Sequence, residues 1–174
     1  MSEIWKQYEG QMAAERYPLE RFVGGTEHSA VFLTEGSGAE AKKAVIKFIP
    51  AGSPSADKQL FLWSRAAQLS HANLLRIQGS GRCRLGDMDL LYVVTECAEE
   101  DLSQVVPQRA LTEEEARGVL EPLLDVLVYL HGKGFAHTRL KPQHSCDRGS
   151  TESLVRHDLS DRGSARKVAA SGRL

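Results

Sequence analysis

The run His137-Thr138-Arg139-Leu140-Lys141-Pro142-Gln143-His144 decides how this chain is read. Ahead of it lies Leu111 to Gly132, an amphipathic stretch that opens Leu111-Thr112-Glu113-Glu114-Glu115. Thr112 and Glu115 have the spacing of a capping box, in which each side chain satisfies a backbone donor at a helix start. Leu120, Leu123, Leu124, Leu127 and Leu130 recur at helical spacing, which predicts a helix with one apolar face. Gly132 and Gly134 end it, and Phe135-Ala136-His137 leads into a tight polar loop. A packed helix that delivers such a loop holds functional groups rigidly.

The chain has 174 residues, about one domain, and its 41% hydrophobic content suffices for a core. A net charge of -1 gives no electrostatic footprint for nucleic acid or an anionic membrane, so neither is expected as a partner. Three cysteines, Cys83, Cys97 and Cys146, share no CxxC spacing, which fits a reduced, cytoplasmic setting. No apolar run approaches membrane-spanning length, and Met1-Ser2-Glu3-Ile4-Trp5-Lys6 is not a signal peptide.

Residues 1–16 are predicted as a short surface helix with Ile4, Trp5, Tyr8 and Met12 on one side. Strands follow at Leu19 to Val23, Ser29 to Thr34 and Ala41 to Ile49, separated by Gly24-Gly25 and by Glu35-Gly36-Ser37-Gly38. Alternation puts Lys47 on the face it shares with Val45. Residues 57–70 are predicted as a helix. A second pair of strands, Leu74 to Ile77 and Leu90 to Thr95, flanks Gly79-Ser80-Gly81, read as a turn.

The 137–144 run resembles the catalytic loop of serine/threonine protein kinases, in a bacterial-type form, whose pattern is H-R-D-L-K-P-x-N. His137, Leu140, Lys141 and Pro142 agree with it. Arg139 stands at the catalytic aspartate, and His144 at the magnesium-binding asparagine. Further matches lie upstream. Gly24 matches the first glycine of G-x-G-x-x-G-x-V and Val31 its valine, while Thr26 and Ser29 replace the other glycines. Ala44-Val45-Ile46-Lys47 resembles V-A-I-K, whose lysine neutralises ATP phosphates. His71-Ala72-Asn73-Leu74 is similar to the turn that follows the next helix. That helix has Leu62 where the resemblance requires the glutamate that pairs with the lysine. Thr95-Glu96-Cys97-Ala98 resembles the gatekeeper and hinge.

The resemblance implies an α+β fold: a five-stranded antiparallel sheet with helix 57–70, joined by a hinge to an incomplete helical lobe. Its domain organisation is an N-terminal extension at 1–16, an N-lobe at 17–95, a hinge at 96–101, a partial C-lobe at 102–144 and a degenerate or disordered tail at 145–174. ATP is the implied cofactor. Gly24, Gly25, Val31 and Lys47 would hold it, with the backbones of Glu96 and Ala98 on the adenine. Asp101 is the candidate ribose contact, and equally a helix N-cap. Asp158, at a worn D-F-G, is the candidate metal ligand, and magnesium is not expected to be well coordinated.

Arg139 cannot accept a proton at neutral pH, and Lys141 has little to assist. His144 is a poor magnesium ligand, since that ion prefers oxygen. Three readings follow: a pseudokinase-like nucleotide-binding or scaffolding module, an active serine/threonine kinase, or a truncated fragment that binds nothing. Loss of the pattern after Gln143 fits truncation or a frame change. An uncovered apolar face on helix 112–131 would suit a protein partner. The spacings of His131, His137, His144 and His157 fit no zinc pattern.

Overall fold

The computed structural model describes residues 2–36, 43–52, 54–97, 100–101, 109–137, 140, 145–147, 153–155 and 159–161. Its contacts divide the chain into two units, one of residues 1–68 with 76–97, the other of 69–75 with 98–174. No helix among the described residues is long and apolar enough to cross a membrane.

The first unit is built on a five-stranded antiparallel sheet. Its strands are β3 (Arg21–Thr26), β4 (Ser29–Glu35), β5 (Lys43–Pro50), β6 (Ile77–Leu85) and β7 (Met88–Glu96), in the order β3-β4-β5-β7-β6. With the helix α1 (Ala56–Ala66) it gives the α+β arrangement of a kinase small lobe. Alternation sorts the sheet's side chains. Ala30, Phe32, Ala44, Ile46, Phe48 and Val94 lie on one face, all fully buried. Phe32 meets Phe22 and Phe48 edge-on, with ring centroids 5.4 and 6.0 Å apart.

That face is closed by the first nineteen residues, which are not a surface helix. Ser2–Tyr8 is a 3-10 turn, and Met12–Ala13 (β1) pairs with Tyr17–Pro18 (β2). Trp5, Ala13, Tyr17 and Leu19 are buried in the sheet's core, while Ile4 and Met12 of the expected apolar side are exposed. A helix would have placed Ile4, Trp5, Tyr8 and Met12 together. The sheet instead takes alternate groups from a chain that doubles back. The turn between β1 and β2 carries Ala14 and Glu15 at φ +50 and +55, a left-handed backbone that costs roughly 1–2 kcal/mol per residue. Burial of Ala13 and Tyr17 on either side offsets that cost.

Two of the three glycine turns read from the sequence belong inside strands, and the third, at 35–38, lies partly outside the described residues. Gly24 and Gly25 are part of β3, and the chain reverses at Glu27 and His28. Gly79 and Gly81 lie in β6, and the reversal falls at Gly86, where φ is +59. A glycine within a strand marks close approach. A Cβ on Gly79 would lie 2.6 Å from the Tyr17 hydroxyl, so this glycine admits the tyrosine that helps close the core. Gly81 faces the Tyr92 ring in the same way.

The second unit contains α2 (Glu113–Gly132). The expected capping box is formed: the Glu115 N–H donates to Thr112 Oγ1 at 3.2 Å, and the Thr112 N–H donates to Glu115 Oε2 at 2.9 Å. Arg109 adds a two-pronged contact to the same carboxylate at 2.6 and 2.7 Å. Gly134, at φ +82, supplies the left-handed residue just past the end. The leucine face is divided. Val126 and Leu130 are buried, whereas Leu120, Leu124 and Val128 are 52, 59 and 72% exposed.

Beyond His144 the described residues form three short strands. Ser145–Asp147 (β10) pairs with Ser153–Val155 (β11) and with Glu100–Asp101 (β8). Leu159–Asp161 (β12) pairs with Phe135–His137 (β9). Strands of two or three residues are too short to leave a period in the sequence.

Two stability measurements check this packing. Thr34 is 1% exposed in the core, and its hydroxyl has no hydrogen-bond partner among the described residues. Thr34→Val therefore raises unfolding stability by about 1 kcal/mol in a denaturant titration, and a loss would mean the hydroxyl is satisfied. Arg109 and the helix start hold the Glu115 carboxyl at about 2, below its usual 4.5. Its stabilising contribution is complete above pH 4.5 and lost as pH falls toward 2. The melting-temperature gap between the native chain and Glu115→Gln accordingly closes across that window.

Candidate functional site

The site is assembled from the sheet face opposite the N-terminal segment. Across the strands Val31 pairs with Lys47 and Lys47 with Val93, while Leu33 pairs with Val45 and Val45 with Thr95. Period-two alternation therefore puts Val31, Val45, Lys47 and Thr95 on one face. Helix α1 covers part of that face. Arg82, which pairs with Leu91, donates to Asp57 of α1 at 2.7 Å, and Leu91, Val93 and Ile77 are buried. Val31, Val45 and Thr95 are half-buried and Lys47 is exposed. Valine rows beside an exposed cation suit a ligand with an apolar ring at one end and negative charge at the other.

Helix α1 supplies no carboxylate to Lys47. Leu62 is buried, and the helix's one acid, Asp57, is engaged by Arg82. Among the described residues Lys47 forms no ion pair.

The β3–β4 hairpin has two dissimilar glycines. A Cβ at Gly24 would meet nothing within 4 Å, so the space above it is open. At Gly25 it would collide with the Ser29 carbonyl oxygen, so this glycine is needed to close the turn. Polar contacts tighten the tip: Thr26 Oγ1 and Ser29 Oγ are 3.0 Å apart, and the His28 N–H donates to Thr26 Oγ1 at 3.2 Å.

At the expected hinge, the Glu96 N–H donates to the Arg76 carbonyl at 3.2 Å, and the Cys97 N–H to the Lys43 carbonyl at 3.2 Å. These donors are committed within the sheet's unit, so an adenine contact from Glu96 would use its carbonyl. Asp101 lies in β8, its backbone paired with Cys146, and the residues 102–108 that it would cap as a helix lie outside the described residues. Ala98, Arg139, Lys141, His144 and Asp158 lie outside the described residues. Of the 137–144 run the structure describes His137 and Leu140. Backbone pairing sets Leu159, next to Asp158, opposite His137 at the head of that run.

A cluster not anticipated from the sequence joins the 69–75 segment to α2. His71 Nε2 is 3.3 Å from Asp125 Oδ2, its ring lies 4.9 Å from the Tyr129 ring, and the Ser70 N–H donates to Tyr129 Oη at 3.1 Å. His71 Nδ1 accepts the Asn73 N–H at 3.2 Å, which fixes the ring. The His71-Ala72-Asn73-Leu74 motif was the available signal, but its partners stand more than fifty residues away. Among the other polar groups, burial pushes the Cys83 thiol up to about 11, so it is a poor nucleophile.

A five-stranded sheet carrying a strand lysine, a glycine hairpin and a flanking helix defines a kinase-like small lobe. Known relatives point the same way. The chain is 30% identical over 144 residues to serine/threonine-protein kinase SSN3 of Phaeosphaeria nodorum, covering 74% of this chain and 31% of that protein. It is 31% identical over 143 residues to CBL-interacting protein kinase 4 of Oryza sativa, covering 78% and 31%. A probable myosin light chain kinase of Dictyostelium discoideum is 27% identical over 154 residues, covering 87% and 47%. Over about three quarters or more of its length the chain is thus similar to protein kinases. The chain spans between about a third and a half of the length of these relatives. No protein-family model matches it.

The two glycines give a direct check. Gly24→Ala is tolerated, whereas Gly25→Ala costs about 2 kcal/mol or more of unfolding stability, because the colliding atom is backbone and cannot swing aside. Equal effects of the two substitutions would contradict the hairpin geometry.

Proposed function

We propose that this chain is a kinase-like module that binds ATP on the Val31, Val45, Lys47 and Thr95 face and transfers its phosphate poorly or not at all. The observation that carries the reading is the cross-strand register of Val31, Lys47 and Val93 beside Leu33, Val45 and Thr95. It supports an adenine against the valine row, with Lys47 drawn to the phosphates. The open space above Gly24 supports close approach of the hairpin backbone. ATP supplies the transferable phosphoryl group and the charge that Lys47 would neutralise.

Poor transfer follows from charge and chemistry. Phosphoryl transfer depends on positioning and on neutralising charge, with an aspartate orienting the acceptor hydroxyl. Arg139 at that position carries a positive charge and has no acceptor. His144 offers nitrogen where magnesium favours oxygen. The absence of an acid from α1 near Lys47 leaves that lysine without the partner that fixes it in an active kinase. Asp158 remains the candidate metal ligand, supported by the pairing of its neighbour Leu159 with His137. A cytoplasmic location is part of this proposal and fits Cys83 and Cys97, neither of which is in a disulfide.

The exposed line of Leu120, Leu124 and Val128 on α2 favours a second reading, in which the unit serves as a scaffold for a protein partner.

Thermal unfolding with and without ATP and magnesium tests the first reading. At about 100 times its dissociation constant, a ligand that binds only the folded state adds roughly 2.7 kcal/mol, seen as a raised melting temperature. The shift is expected in the native chain and lost in Lys47→Ala, with no label transferred from γ-labelled ATP to a protein substrate. A melt indifferent to ATP would overturn nucleotide binding. Robust transfer abolished by Lys47→Ala would overturn inactivity.

A further inference from the structure

Strand β3 lies at the edge of the sheet, so alternate backbone groups along it have no strand to bond with. Two of these outward groups are taken by side chains of the N-terminal segment. The Trp5 indole N–H donates to the Thr26 carbonyl at 2.8 Å, at the tip of the β3–β4 hairpin. The Phe22 N–H donates to Glu9 Oε1 at 2.6 Å, at its root. Between the two lie Gly24 and Gly25, the residues with the least intrinsic stiffness in the strand, and the register slips between Phe22 and Gly24.

The segment that delivers these contacts is itself anchored. Trp5 is 3% exposed, and the Gly10 N–H donates to the Leu19 carbonyl at 2.7 Å while the Leu19 N–H donates to the Gln11 carbonyl at 2.8 Å. The donor and acceptor that reach β3 thus come from a closed loop seated on the core, not from a free terminus. We infer that Trp5 and Glu9 are positioning residues: the N-terminal segment clamps the β3–β4 hairpin at tip and root, and so pre-orders it for a nucleotide on the opposite face.

The clamp stands on the hydrogen bonds alone, and its effect on a ligand rests on the nucleotide-binding reading above. A hairpin held before binding loses less freedom when a ligand settles beneath it, so release of the clamp lowers affinity. Coupling is reciprocal, so a nucleotide bound beneath the hairpin must in turn alter the surroundings of Trp5.

The test uses the full chain. Trp5→Phe keeps an aromatic ring in the core and removes the donor, Glu9→Ala removes the acceptor, and Glu9→Gln retains an oxygen that can accept. Amide hydrogen exchange over residues 24–31 is expected to quicken about tenfold in Trp5→Phe and Glu9→Ala, with little change in β5 and β7. Glu9→Gln should behave as the native chain. ATP affinity falls several-fold in the first two variants, and in a Trp63→Phe background ATP changes the fluorescence of Trp5. Unchanged hairpin exchange, or faster exchange spread evenly over the sheet, overturns the clamp. If ATP binds and neither variant alters its affinity, the positioning role is overturned. Local exchange changes in a chain that binds no ATP support the clamp and overturn the nucleotide reading, so the two fail separately.

Discussion

The two-sidedness of β5 is the constraint on which the sheet's unit depends. Ala44, Ile46 and Phe48 point one way and are fully buried; Val45, Lys47 and Ile49 point the other way. A strand period of two allows no compromise, because slipping the register by one residue would bury Lys47 and expose Ile46 and Phe48. Desolvating an unpaired ammonium and exposing two large apolar groups would together cost several kcal/mol. Register is thereby fixed, and with it the row that sets Lys47 beside Val31 and Val93. One face had to be covered to make this work, and the first nineteen residues cover it. Their burial is a condition of the lysine's placement and not an appendage to it.

The face that remains is chemically mixed. Helix α1 is tied to the sheet and buries Leu62 and Trp63, and its one acid is Asp57. A well-packed apolar group can match or exceed the net stability of a partly desolvated ion pair, so the unit loses little by this. Asp57 is held in an exposed bridge to Arg82 that ties helix to sheet. The architecture is that of a kinase small lobe in which no carboxylate of α1 pairs with Lys47. In the other unit, His71, Asp125 and Tyr129 show that polar contacts are still used with care where they fasten segments together.

Much of this was legible in the residues, and the exceptions have physical causes. Strong local patterns translated directly: Thr112 and Glu115 form the capping box, α1 begins within one residue of expectation, and Ala44 to Lys47 is a strand with the lysine on the expected face. Glycines were misleading, because a glycine that permits a turn and one that permits a close approach look identical in sequence. Gly79 is explained only by Tyr17, sixty-two residues earlier in the chain. The N-terminal segment was misjudged for a related reason: Ile4, Trp5, Tyr8 and Met12 fit a helical period, but the core selected Trp5, Ala13, Tyr17 and Leu19 through tertiary contact. The short strands after His144 depend on partners at Glu100–Asp101 and Phe135–His137, which no local window contains.

The central claim is that the face bearing Lys47, and not the face closed by Trp5 and Tyr17, receives the nucleotide. An amide-resolved NMR titration with a non-hydrolysable ATP analogue tests it most directly. The account predicts saturable shifts at Val31, Val45, Lys47 and Thr95 and along the β3–β4 hairpin, with Ala13 and Tyr17 nearly still. Shifts concentrated on the N-terminal segment, or none at all at millimolar analogue, would contradict it.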